Sequence, residues 1–161
     1  MKKYKNTIIL VNLVVLLLLF NKSILHKEST LTNGKLVLLK LAPVDPRSLM
    51  QGDYMRLRYA IARNVDKDIA KRGYCIVKLD DNGVAKKVRF QNNVNPKADS
   101  EYAIRYNKMK YRNVHIGAES FFFQEGKGAK YEKAKYGGLM IDNNGKSILV
   151  GLYDKELKKI E

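Results

Sequence analysis

The stretch YCIVKLDDNGVAKKVRFQ, residues 74–91, decides the fold class. Its two halves, Tyr74–Asp80 and Val84–Gln91, alternate apolar and polar side chains with the period of two that leaves one face of a strand inward. Asp81, Asn82 and Gly83 between them have the length and composition of a hairpin loop. Working outward, the same pattern recurs. EYAIRYN places Tyr102, Ile104 and Tyr106 on one face and, with YRNVHIG, predicts a second hairpin. GLMIDNNGKSILVGLY predicts two strands around Asn143, Asn144 and Gly145. Upstream, KLVLLKLA (Lys35 to Ala42) has the apolar density of a buried strand ended by Pro43, and PVDPRSLMQGD is a rigid connector that cannot be helical. Met55, Leu57, Tyr59 and Ile61 then alternate with Arg56, Arg58, Ala60 and Ala62, which predicts a further strand, with Gly52 and Asp53 as the turn before it. Helical readings fall on Val65–Arg72, one or two turns closed by Gly73, and on Lys127–Lys135, stopped by Tyr136-Gly137-Gly138. The expected fold is mainly β: an antiparallel sheet or barrel-like domain with one short helix, preceded by one N-terminal transmembrane helix.

That last element rests on MKKYKNTIILVNLVVLLLLFNKSILHK, residues 1–27. The apolar run Ile8–Phe20, extended from Thr7 to Leu25 with Asn21 and Lys22 snorkelling, approaches the ~20 residues that span a bilayer. A signal peptide shares the basic start and apolar centre, but no A-x-A cleavage pattern follows, so an uncleaved anchor is favoured over a cleaved signal or a buried core helix. Lys2, Lys3 and Lys5 predict a cytoplasmic N-terminus and an extracytoplasmic remainder at the cytoplasmic membrane. The expected division is a tail and anchor over 1–27, a polar stalk over 28–34 and a β domain over 35–161.

Charge is read against this topology. The chain has 31 Lys and Arg against 16 Asp and Glu, a net +15. Four of the basic residues precede His26, which leaves 27 against the 16 acids, about +11, on residues 26–161. On the far side of the membrane from the chromosome such a field serves no nucleic acid; anionic headgroups, acidic envelope polymers or an acidic partner suit it, as does a merely solvated surface. Cys75, the one cysteine, lies in an apolar alternating stretch and reads as a small buried hydrophobe. His26 and His115 are isolated, without metal-ligand spacing, and no pattern calls for a cofactor.

Gly52, Asp53 and Tyr54, followed by Leu57 and Tyr59, fill every position of a GDY-x-x-L-x-Y spacing. In this the chain resembles the GDYXXLXY family of bacterial membrane-anchored proteins. The lead-in PVDPRSLMQGDYM and a second landmark, ESFFFQEGKG (Glu119 to Gly128, with Glu125, Gly126 and Gly128), are similar to the family's pattern over roughly Leu36 to the C-terminus, although Gln124 stands where a proline often precedes Glu-Gly. The resemblance implies a single-anchor envelope protein without an assigned activity, a partner of multi-spanning membrane proteins; it carries over no catalytic residue.

The residues of the first landmark read as structure on one face and recognition on the other. Leu57 and Tyr59 fill the core, Gly52 permits a positive-φ turn and Asp53 bonds the connector's backbone. Tyr54, Arg56 and Arg58 share the opposite face as an exposed strip for an anionic or protein partner. FFFQEGKG and NNGKS (Asn143 to Ser147) lack Walker spacing, Met140 standing at the first glycine, and read as turns. Phe121 to Phe123 read mainly as core. The alternative of a different class is a membrane-tethered Ser/Lys hydrolase, similar to signal peptidases, with Ser48 as nucleophile; the Ser-Met-x-Pro segment such enzymes carry is missing, since Leu49 follows Ser48 and no proline comes after. The leading expectation is therefore a non-enzymatic binding or accessory module.

Overall fold

The structure, a computed structural model, describes residues 4–42, 54–66, 68–109, 113–124 and 126–161. Its first element is a single helix, α1 (Lys5–Asn33), long and apolar enough to cross a membrane, and none of its apolar window is buried against the rest of the chain. The helix runs on through the polar stretch that follows the apolar run. There the hydroxyls of Thr30 and Thr32 donate back to the carbonyls of His26 and Glu28, both at 3.0 Å, the bond that Ser and Thr make inside helices. It stops at Gly34, whose N–H donates to the Thr30 carbonyl. A Cβ at Gly34 would lie 2.3 Å from that same carbonyl oxygen, so the close turn into the first strand requires glycine.

Among the described residues nine strands follow: β1 (Lys35–Lys40), β2 (Tyr54–Arg56), β3 (Arg72–Leu79), β4 (Ala85–Gln91), β5 (Glu101–Lys108), β6 (Val114–His115), β7 (Ser120–Phe122), β8 (Tyr136–Ile141) and β9 (Ser147–Tyr153), with a short helix α2 (Gly128–Tyr131). They form three antiparallel sheets, ordered β1-β8-β9, β2-β7 and β4-β3-β5-β6. The sheets do not close into a barrel. Among the described residues the first and third are linked by an isolated parallel bridge, Leu38 to Val84, too little to continue a ladder.

The predicted hairpins β3–β4, β5–β6 and β8–β9 are all present. Two of them turn on the same chemistry. The Asp80 carboxylate accepts the N–H groups of Asn82 and Val84 at 3.1 and 2.9 Å, and that of Asp142 accepts those of Asn144 and Lys146 at 2.9 and 2.8 Å. Gly83 and Gly145 take the left-handed φ (76° in each) that such loops demand. Asp154 caps Glu156 and Lys158 in the same manner near the C-terminus, a loop not anticipated from sequence.

Two helical expectations are corrected. No helix occurs among the described residues of 65–72; Arg72 and Gly73 belong to β3, paired with Asn107 and Tyr106. Gly73 is there for closeness, since a Cβ would come 2.5 Å from the Gln91 carbonyl and 2.9 Å from the Tyr106 hydroxyl. The helix expected over Lys127–Lys135 shrinks to α2. The strand expected over Met55–Ile61 is also shorter: after β2 a 3-10 turn takes Ala60–Ala62.

One core unites the sheets. Val37 and Leu39, Cys75 and Val77, Ile104 and Tyr106, and Leu139 and Leu152 meet Met55, Leu57 and Tyr59 within a single apolar cluster. Burial of this surface is the main favourable contribution to the fold.

Candidate functional site

Strands β2 and β7 pair as a two-stranded ribbon, with Tyr54 opposite Phe122, Met55 opposite Phe121 and Arg56 opposite Ser120. The two sequence landmarks, distant along the chain, are therefore the two strands of one ribbon. Ladders this short are not stable alone. The ribbon is held from beneath by its inward residues: Met55, Leu57 and Tyr59 are 2%, 4% and 1% exposed. Tyr59 donates its hydroxyl to the Ala118 carbonyl, and burial, with the Glu119 charge second, pushes its pKa far above the usual phenol value. The backbone continues the attachment through Leu57 N–H to the Glu119 carbonyl and Ala42 N–H to the Arg58 carbonyl, both at 2.7 Å. Glu119 in turn gathers its own turn: its carboxylate accepts the N–H groups of Ile116 and Gly117 and lies 3.0 Å from His115 Nε2.

The alternation read in the first landmark is thus observed, with Leu57 and Tyr59 inward and Tyr54, Arg56 and Arg58 outward. Phe121 to Phe123 divide. Phe121 and Phe123 pack on Tyr131 of α2, ring centroids 4.9 and 5.4 Å apart. Phe122 points the other way, 72% exposed, with its ring centroid 5.8 Å from that of Tyr54. Phe122 is the residue that sequence reasoning missed; only the strand period across Phe121–Phe123 separates it from its two neighbours.

A cleft of about 360 Å³, within the range of ligand-sized pockets, opens along Met55–Arg58 of the first landmark, with neither Tyr54 nor Phe122 in its lining. Its lining includes Arg56 and Arg58 from the landmark, Lys40 from β1, Lys135 before β8, and Tyr131 with Glu132 at the end of α2. Four cations against one carboxylate make it a place for negative charge.

The remaining expected residues are distributed as follows. Gly126 has φ +80° and so serves a turn, and Gly128 is buried at the start of α2. Ser48, Gly52, Asp53 and Glu125 lie outside the described residues. Cys75 is buried between strands, and desolvation pushes its thiol up to about 12, which keeps it protonated at neutral pH. Among the described residues no three His, Cys, Asp or Glu side chains converge as a metal site would need.

The molecule is thus a mainly antiparallel β domain carried on one N-terminal apolar helix, with an aromatic and basic ribbon at its surface. The family model for GDYXXLXY protein matches residues 16–152, and the chain belongs to this family. No curated protein and no solved structure matches it.

Proposed function

We propose that the chain is a single-pass protein of the cytoplasmic membrane, with residues 1–27 as tail and anchor and its β domain (35–161) on the extracytoplasmic side. There the domain acts as a binding module, and its ribbon docks an acidic surface of a multi-spanning membrane protein or other envelope partner. The observation that carries this reading is the surface chemistry of the ribbon: an outward Tyr54–Phe122 ring pair and, at Arg56 and Arg58, a cationic cleft shared with Lys40 and Lys135. Tyr and Arg are favoured interface anchors because they bury much surface with few rotors and bond carboxylates in a fixed fork. The inward side chains Met55, Leu57 and Tyr59 already hold the ribbon to the core, so its outward side chains are free for a partner. Orientation follows from the three lysines ahead of the apolar run.

A photo-crosslinking residue at Tyr54, in intact membranes, tests the module. The expected product is one discrete adduct with a membrane protein that is lost in Arg56→Glu/Arg58→Glu and regained from a crosslinker at Phe122. Adducts with lipid alone, or a protein adduct indifferent to the charge reversal, overturn the reading. A C-terminal reporter active only outside the cytoplasm checks the orientation independently.

A further inference from the structure

A second cleft, of about 310 Å³, opens where α1 meets the β domain. One helix face, carrying His26 and Lys27, forms one wall; Arg105 of β5 and Lys146 and Ser147 at the start of β9 form the other. Three permanent cations, Lys27, Arg105 and Lys146, therefore converge, and none of them pairs with a carboxylate among the described residues. Asp142 stands close by: its Oδ1 accepts the loop N–H groups of Asn144 and Lys146, while its Oδ2, buried and without a hydrogen-bond partner, lies 3.4 Å from His26 Nε2. Lys146 Nζ lies 2.9 Å from the same His26 nitrogen, which aims the ammonium along the cleft and leaves it further N–H donors. The hydroxyl of Ser147 is buried on the cleft wall and has no hydrogen-bond partner. A buried polar atom left in this state is unfavourable, and a ligand oxygen in the cleft relieves it.

The height of the cleft identifies the ligand. This step rests on the membrane reading given above. From Ile8 to Leu25 the helix has 18 residues, about 27 Å at ~1.5 Å per residue, close to the ~30 Å of a hydrocarbon core. His26 and Lys27 come immediately after, at the level of the headgroup phosphates. The geometry points to a binding site for the phosphate of an anionic lipid headgroup in the leaflet from which α1 emerges. Lys27, Arg105 and Lys146 supply the charge, and Ser147 Oγ donates to a phosphate oxygen. The apolar flanks of Ile116 and Ile148 on the same cleft suit the glycerol carbons that join such a phosphate to its acyl chains. The loop bearing Lys146 and Ser147 lacks Walker spacing; the two side chains serve here through their position beside the helix.

The test uses the full-length chain in dihexanoylphosphatidylcholine micelles, observed by backbone-amide NMR while dihexanoylphosphatidylglycerol is titrated in. Saturable shifts are expected at the amides of Lys146 and Ser147, with Leu57 and Tyr59 unmoved. Binding weakens about fivefold in Lys146→Gln and by a similar factor again when Arg105→Gln is added. An unchanged midpoint in that double variant, or no saturable shift at Lys146 and Ser147, overturns the site. Inorganic phosphate saturating the same amides at equal or lower concentration assigns the cleft to free phosphate and overturns the lipid source. Alkaline carbonate extraction of native membranes separates the two readings: a chain released by carbonate defeats the anchor and this site with it, whereas a retained chain with unresponsive amides defeats the site alone.

Discussion

The four-stranded sheet β4-β3-β5-β6 and the ribbon β2-β7 differ in how their strands find each other. Within the sheet each partner is the next strand or nearly so, and an Asp-headed loop at Asp80 closes β3 onto β4. In the ribbon, Tyr54 must meet Phe122 across most of the domain, and the ladder is three residues long. The sheet is therefore secured by its own hydrogen bonds and turn chemistry, whereas the ribbon is secured by what lies under it. Its inward side chains Met55, Leu57 and Tyr59 are buried in the core; its outward ones, Tyr54 and Phe122, touch each other and lie outside that core. A surface that contributes little to its own core is free to be shaped by a partner.

The sharpest way to break this contrast is to remove the ribbon's support. Tyr59→Ala is expected to destabilise the domain by about 3–5 kcal/mol, as large-to-small core changes do, read as a fall in urea midpoint. The buried Cys75 thiol, unreactive toward maleimide in the folded chain, becomes labelled in step with that loss. Tyr59→Phe keeps the ring and strands the Ala118 carbonyl, at about 1–3 kcal/mol by the same measurement. On the outward face, Phe122→Ala shifts stability by no more than about 0.5 kcal/mol, yet abolishes crosslinking from Tyr54. The smallest effect belongs to the sheet's surface. Arg89 grips Glu101 with two bonds, 2.7 and 2.9 Å, and that bond is the first cause holding the Glu101 carboxyl below its ordinary range. A carboxyl lowered on folding stabilises above its unfolded value of about 4.3 and loses that contribution as pH falls through the folded value. Thermal scans should accordingly show Glu101→Gln melting below the parent at neutral pH, with the gap closing in acid.

What was readable in the sequence follows the same division. Hairpins were legible because their causes are local: Asp-Asn-Gly loops and the period of two on each side. The inward and outward sets of the first landmark were legible for the same reason. The helix expected at Val65–Arg72 is absent among the described residues there, and its expected end, Arg72 and Gly73, is recruited into β3 by pairing with β5, a long-range pairing that local propensity does not encode. Lys127–Lys135 had helical composition, but α2 is cut to Gly128–Tyr131 where Tyr131 turns inward against Phe121 and Phe123. The candidate site stayed half hidden. Tyr54, Arg56 and Arg58 were visible as a strip, whereas Phe122 and the cations Lys40 and Lys135 joined them only through the order of strands.

Gly34 leaves no slack between α1 and β1, and the crowding at the Thr30 carbonyl forbids a bulkier joint. Gly34 alone thus separates the end of the helix from the start of the β domain, with no further linker between them. Under the membrane reading proposed above, so short a joint ties the inclination of the ribbon to that of α1, and a change in bilayer thickness that tilts the helix re-aims the ribbon.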